Sequence, residues 1–166
     1  LVSHGVSLRR SSQATLGSTA HGHARRKPNR RRNRTWELLD KDELTRAEEE
    51  EMLACTFAQR HHWYQVGNAR NHAIADWQVS RVAAVLGYAD LARRFGEISL
   101  EIAIENDLDP FVSGFAHEAI ARAAADVDDV ETFTEHIELA RVLLAEIEND
   151  EDRDLLAADL AEMSVE

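Results

Sequence analysis

With 166 residues, 44% of them hydrophobic, and only two prolines and seven glycines, the chain can bury one real core and favours helix over sheet. Its charge is divided: residues 1–34 hold nine Lys or Arg and no acid, so all 31 acids fall in 35–166 beside ten bases and leave that part at −21. Such a surplus argues against nucleic acid or acidic membranes as partners of the folded part, and the single cysteine excludes an internal disulfide and a multi-cysteine metal knuckle.

In chain order, residues 1–38 are expected to be a disordered basic segment, rich in Ser, Gly, His and Arg and too poor in apolar surface to offset the entropy of ordering. They hold no apolar core of a signal peptide. The absence of an initial Met favours upstream sequence read from a misplaced start over a functional basic arm. The folded domain is expected over 39–166, as about six helices. No apolar run approaches the roughly 20 residues of a membrane span, so a cytoplasmic location is expected.

The first predicted helix opens on a capping box of Asp40 and Glu43 and ends at Gly67. Asn68 or Asn71 caps the second, which ends at Gly87. In the third, Leu91, Phe95, Ile98 and Ile102 form one apolar stripe. Asp109 and Pro110 restart the chain as cap and first-turn proline. The fourth helix offers Phe111, Phe115, Ala119, Ile120 and Ala123 to a core. The fifth, opened by Asp128 and Glu131, offers Val130, Phe133, Ile137, Ala140 and Leu144. Asn149 or Asp150 starts the last, with Leu156, Leu160 and Met163 inside and Asp152, Asp154, Asp159 and Glu162 outside, as a terminal helix of a stack requires. Short connections imply antiparallel neighbours.

A 41-residue offset lays Gly87 over Asp128, Val79 over Ile120, Ser80 over Ala121, Ala83 over Ala124 and Ser99 over Ala140. Large-then-small packing of this kind resembles the tetratricopeptide-repeat (TPR) pattern, with Val79-Ser80, Ala83, Gly87 and Ala92 standing for its L-G, Y, turn and A. Ile120-Ala121, Ala124 and Phe133 form a second unit. Trp77 lies one place past the pattern's W, the Tyr is Ala in both units, and the F is Gly96 in one and Ile137 in the other. The segments His62-Trp63-x2-Val66-Gly67, Trp77-Gln78-x-Ser80-Arg81-Val82 and Phe115-Ala116-x-Glu118-Ala119-x-Ala121-Arg122-Ala123 resemble small uncharacterised bacterial, actinobacterial-type TPR-like proteins. Pro110 and Val112 stand where that group carries acids. The resemblance implies an all-α, right-handed stack of antiparallel helix pairs, an α-solenoid, and implies no chemistry.

In TPR folds the first helix of each pair lines the concave face. The resemblance therefore puts Ile74, Trp77, Arg81, Ala84 and Val85 of the second helix there, with Phe115, Glu118, Arg122 and Asp126 of the fourth. Trp77, Arg81, Phe115, Glu118 and Arg122, with His62 and Trp63 on the first helix, are the expected contacts to a protein or peptide partner. Arg81 and Arg122 would take a carboxylate or an acidic peptide end through bidentate contacts. Arg81–Glu118 equally suits a structural inter-helix pair, Glu118–Arg122 an i,i+4 pair, and Trp77 a core position. Self-association is a further partner class.

Competing expectations are a nucleic-acid-associated protein using the basic arm, and an enzyme around His62, Asn71, Asp76 and Glu118. His61, His62, His72, His117 and His136 show no metal-ligand spacing, so no metal or cofactor is expected. Cys55 and His62 lie about 10 Å apart along one helix, too far for direct activation of a thiol.

Overall fold

The computed structural model describes residues 34–163, and among them every regular element is a helix. These are α1 (Arg34–Leu39), α2 (Arg46–Val66), α3 (Ala69–Val85), α4 (Ala89–Glu105), α5 (Pro110–Ala125), α6 (Val130–Glu146) and α7 (Asp150–Glu162). Successive helices pack on one another, and α3 meets α5, and α5 meets α7, across the intervening helix. The odd-numbered helices from α3 onward thus share one side of the molecule.

Helix α1 falls inside the stretch assigned to the basic segment, which corrects that boundary. Thr35 and Leu38 are fully buried against α2 and α3, where Leu38 packs with Met52 and Val82. The expected disorder of the segment otherwise concerns residues 1–33, which lie outside the described residues. Because α1 runs to Leu39, the Asp40 amide donates back to the Trp36 carbonyl as a helix end. Asp40 therefore cannot begin the next helix. The capping box is instead Thr45 and Glu48: the Glu48 amide donates to Thr45 Oγ1 at 3.4 Å and the Thr45 amide to Glu48 Oε2 at 3.0 Å.

The other caps lie at or beside their expected positions. Asn68 and Asn71 exchange amide-to-side-chain bonds at 3.1 Å at the start of α3. Asp109 accepts from the Val112 amide behind Pro110, and Asn149 from the Asp152 amide. Gly67 is required by space, since a Cβ there would stand 2.6 Å from the Trp63 carbonyl and 2.8 Å from Asn71 Cβ.

Three turns are built alike. Gly87, Asp107 and Asp128 are left-handed, with φ of 78°, 49° and 57°. In each, the next amide reaches back five residues, Tyr88 to Ala83, Leu108 to Ala103 and Asp129 to Ala124, closing a Schellman motif. Asp128 is thus the turn residue, and Asp129 caps α6 by accepting from the Thr132 amide. Gly87 and Asp128 adopt one conformation 41 residues apart, and Val79, Ser80, Ala83 and Ser99 are buried together with Ile120, Ala121, Ala124 and Ala140.

The expected stripe of α4 is shifted by one residue. Phe95 is buried, but Leu91, Ile98 and Ile102 are half-buried, and the innermost line is Ala92, Gly96, Ser99 and Ala103. Helix α4 lies between α3 and α5, so its seam takes small residues and its large ones flank the seam. A Cβ on Gly96 would approach Ile120 Cγ1 to 3.1 Å. Ser80 and Ser99 satisfy their hydroxyls across the same seam, on the Ala92 and Ala73 carbonyls. Ile137, Ala140, Leu156, Leu160 and Met163 do join one core with Phe115, whereas Val130 is exposed.

Candidate functional site

An apolar cavity of about 610 Å³ has walls that come from five helices. Trp36 of α1, Gln59, His62 and Trp63 of α2, and Ile74 and Trp77 of α3 form one half. Ser99 of α4 and Phe111, Val112 and Phe115 of α5 form the other. The aromatic rings make a row: Trp36 to Trp77 at 6.1 Å, Trp77 edge-on to Phe115 at 5.0 Å, and Phe115 edge-on to Phe111 at 4.9 Å between centroids. Edge-to-face contacts hold such rings in fixed orientations. All three tryptophans of the chain line this cavity.

Beside Trp77 lies a charged cluster. Glu118 is fully buried, and both of its oxygens are taken by donors. Trp77 Nε1 donates to Oε2 at 3.3 Å; Arg122 Nε donates to Oε1 at 2.7 Å, Arg122 Nη2 adds a second bond, and Arg81 Nη1 stands at 3.5 Å. Arg81 also binds Asp159 of α7 at 2.9 Å. A buried carboxylate is costly unless paired and hydrogen-bonded, so this cluster ties α3, α5 and α7 together and fixes the Trp77 indole by its N–H.

Four of the seven expected partner contacts, His62, Trp63, Trp77 and Phe115, therefore meet at the cavity. The other three, Arg81, Glu118 and Arg122, meet one another. The expected reach of the two arginines toward a partner's carboxylate is met by internal ones, because Glu118 and Asp159 already occupy them. Val85 and Asp126, placed on the concave face by register, stand exposed at the turns. Trp36 was missed: it belongs to a six-residue helix with no periodicity to read, and its signal was an apolar group, Trp36, Leu38 and Leu39, directly after the basic stretch.

The residues of the enzymatic expectation are not gathered. Asn71 closes a capping box, and Asp76 is fully buried with Arg60 Nε on one oxygen and the Tyr64 hydroxyl on the other. Burial, and then the Asp76 carboxylate, push the Tyr64 phenol up to about 12. Arg60 lies over the Tyr64 ring at 4.2 Å and near Phe95 at 5.1 Å, while His72 stacks on Tyr64 at 4.4 Å. His117 and His136 do come together, with Nδ1 atoms 2.9 Å apart across α5 and α6. Burial, and then the neighbouring His136, hold His117 down at about 4, and burial also lowers His136. Among the described residues, no three His, Cys, Asp or Glu side chains are placed to hold a metal ion, and no helix is long and apolar enough to cross a membrane.

No family model, no curated protein and no solved structure matches this chain.

Proposed function

We propose that the chain is a TPR-like interaction module that holds a partner protein by inserting one of the partner's large apolar side chains into the aromatic cavity. The observation that carries this reading is the cavity itself. Its volume, about 610 Å³, lies in the range of ligand-binding clefts, and its walls are aromatic rings held by edge contacts and by the Trp77–Glu118 bond. Preorganised rings lose little freedom when a partner docks, and tryptophan is favoured as an interface anchor. The TPR-like stack is supported by the α3–α5 and α5–α7 contacts and by the matching left-handed turns 41 residues apart. In such a stack α1, α3, α5 and α7 are the inner helices of successive pairs, and α1 completes the first pair that the sequence left half-built.

The test is a selection of random displayed peptides on the full chain, repeated with Ile74→Trp, which places an indole in the cavity. Enrichment of sequences sharing one aromatic or large aliphatic position, lost in the variant, is the expected result. Recovery of the same sequences with Ile74→Trp moves the binding face elsewhere.

A further inference from the structure

We infer that the segment docking at this cavity is basic: one large apolar side chain flanked by Lys or Arg. The inference rests on the binding reading above and adds the partner's charge to it. Its first ground is that the positive charge of the fold is already spent. Of the eleven Lys and Arg side chains in residues 34–163, ten stand within ion-pair distance of an acid of the fold. The surplus that faces solvent is carboxylate, from a part of the chain carrying 31 acids against ten bases.

The second ground is local. Three arginines stand beside the cavity, and each is held. Arg70, 5.7 Å from the centre of the Phe111 ring, binds Asp109 at 3.0 Å. Arg81 binds Asp159 at 2.9 Å, and Arg122 binds Glu118 at 2.7 Å. A partner's carboxylate would meet an internal one already in place at each, and displacing that of Glu118 would strand a fully buried charge. A basic partner displaces nothing. The cavity walls are apolar, so the bases belong on the flanks and a neutral side chain in the cavity. Attraction between a basic segment and an acidic body acts over about a Debye length and falls as salt is added.

The experiment measures fluorescence anisotropy of three labelled decapeptides on the full chain, each with a central Leu and flanked by Lys, Ser or Glu. The Lys peptide is expected to bind at least about tenfold tighter than the Ser peptide at low salt, with the gap closing at about 0.2 M salt. The Glu peptide should be the weakest. Binding should be lost in Ile74→Trp and in His62→Trp, the second placed at an exposed rim position so that the fold is spared. Equal binding of the Lys and Ser peptides, abolished by both variants, overturns the basic assignment and leaves the cavity reading standing. Lys-peptide binding unchanged in both variants places the attraction on the acidic body at large and overturns it also. A homodimer of the full chain that both variants disperse makes a second copy the occupant, with the same consequence.

Discussion

Among single side chains, Glu118 has the most depending on it. Its removal leaves Arg81 and Arg122 facing each other with little solvent and frees the Trp77 indole. Glu118→Ala is expected to lower stability by about 3–5 kcal/mol in urea unfolding, and Glu118→Gln, which keeps an acceptor, by less. A loss below about 0.5 kcal/mol for the alanine variant would put the cluster on the surface. The histidine pair carries a pH dependence. His117 is held at about 4 in the fold against an ordinary value of 6.5, so the unfolded chain takes up a proton first as pH falls. Its contribution is whole above 6.5 and is lost between 6.5 and about 4. The melting temperature of the native chain should therefore fall more steeply over that window than that of the His117→Gln variant; parallel profiles would mean that the pair does not titrate with folding. At this scale the sequence was half-legible. Glu118 and Arg122 are one helical turn apart and announce themselves. Asp159 joins Arg81 from 78 residues away, and His117 meets His136 only because α5 and α6 pack, which no local spacing encodes.

At the scale of the element, the three Schellman turns make an internal control. Gly87 and Asp128 share a left-handed backbone, yet only one of them is glycine. Gly87→Ala meets no atom within 4 Å, so its cost is conformational alone and should be about 1 kcal/mol. Asp128→Gly should stabilise by about 0.5–1 kcal/mol, since the left-handed strain is removed. Opposite signs in chemical denaturation support the equivalence of the two turns, and equal signs contradict it. Helix positions were legible because Asn68 or Asn71, Asp109, and Asn149 or Asp150 stood at each start as capping side chains, and Asn68, Asp109 and Asn149 accept the first-turn amides. Asp40 and Asp128 misled because an acid between two helices can equally close the helix behind it. Asp40 ends α1 five residues before the true cap, Thr45, and Asp128 is the turn residue next to the true cap, Asp129. The α4 stripe misled for a packing reason. Size marks a buried residue when one face is covered, but a helix packed on two sides buries its small residues deepest, as Ala92, Gly96, Ser99 and Ala103 show.

For the whole molecule, the charge surplus sets both stability and partner. Carboxylates without a base repel one another, so raising salt from a few millimolar to about 0.15 M should raise the melting temperature. A fall would mean that the internal ion pairs outweigh the repulsion. The all-helical class was legible from composition and periodicity, and the 41-residue offset matched two residues, Gly87 and Asp128, that both lie at left-handed turns between helices. The cavity was legible only in part: Trp77, Phe115, His62 and Trp63 were singled out on separate helices, while Trp36 and Phe111 complete the aromatic row through contacts that only the packed helices create. Because Trp36, Trp63 and Trp77 are the only tryptophans and all line the cavity, each of the three indole N–H signals reports on it. The most direct test is therefore a heteronuclear NMR titration of the full chain with a peptide from the selection. All three indole signals should move together and saturate, with Trp77 also reporting any change at its Glu118 bond. Saturable binding that leaves the three indole signals where they were would contradict the account.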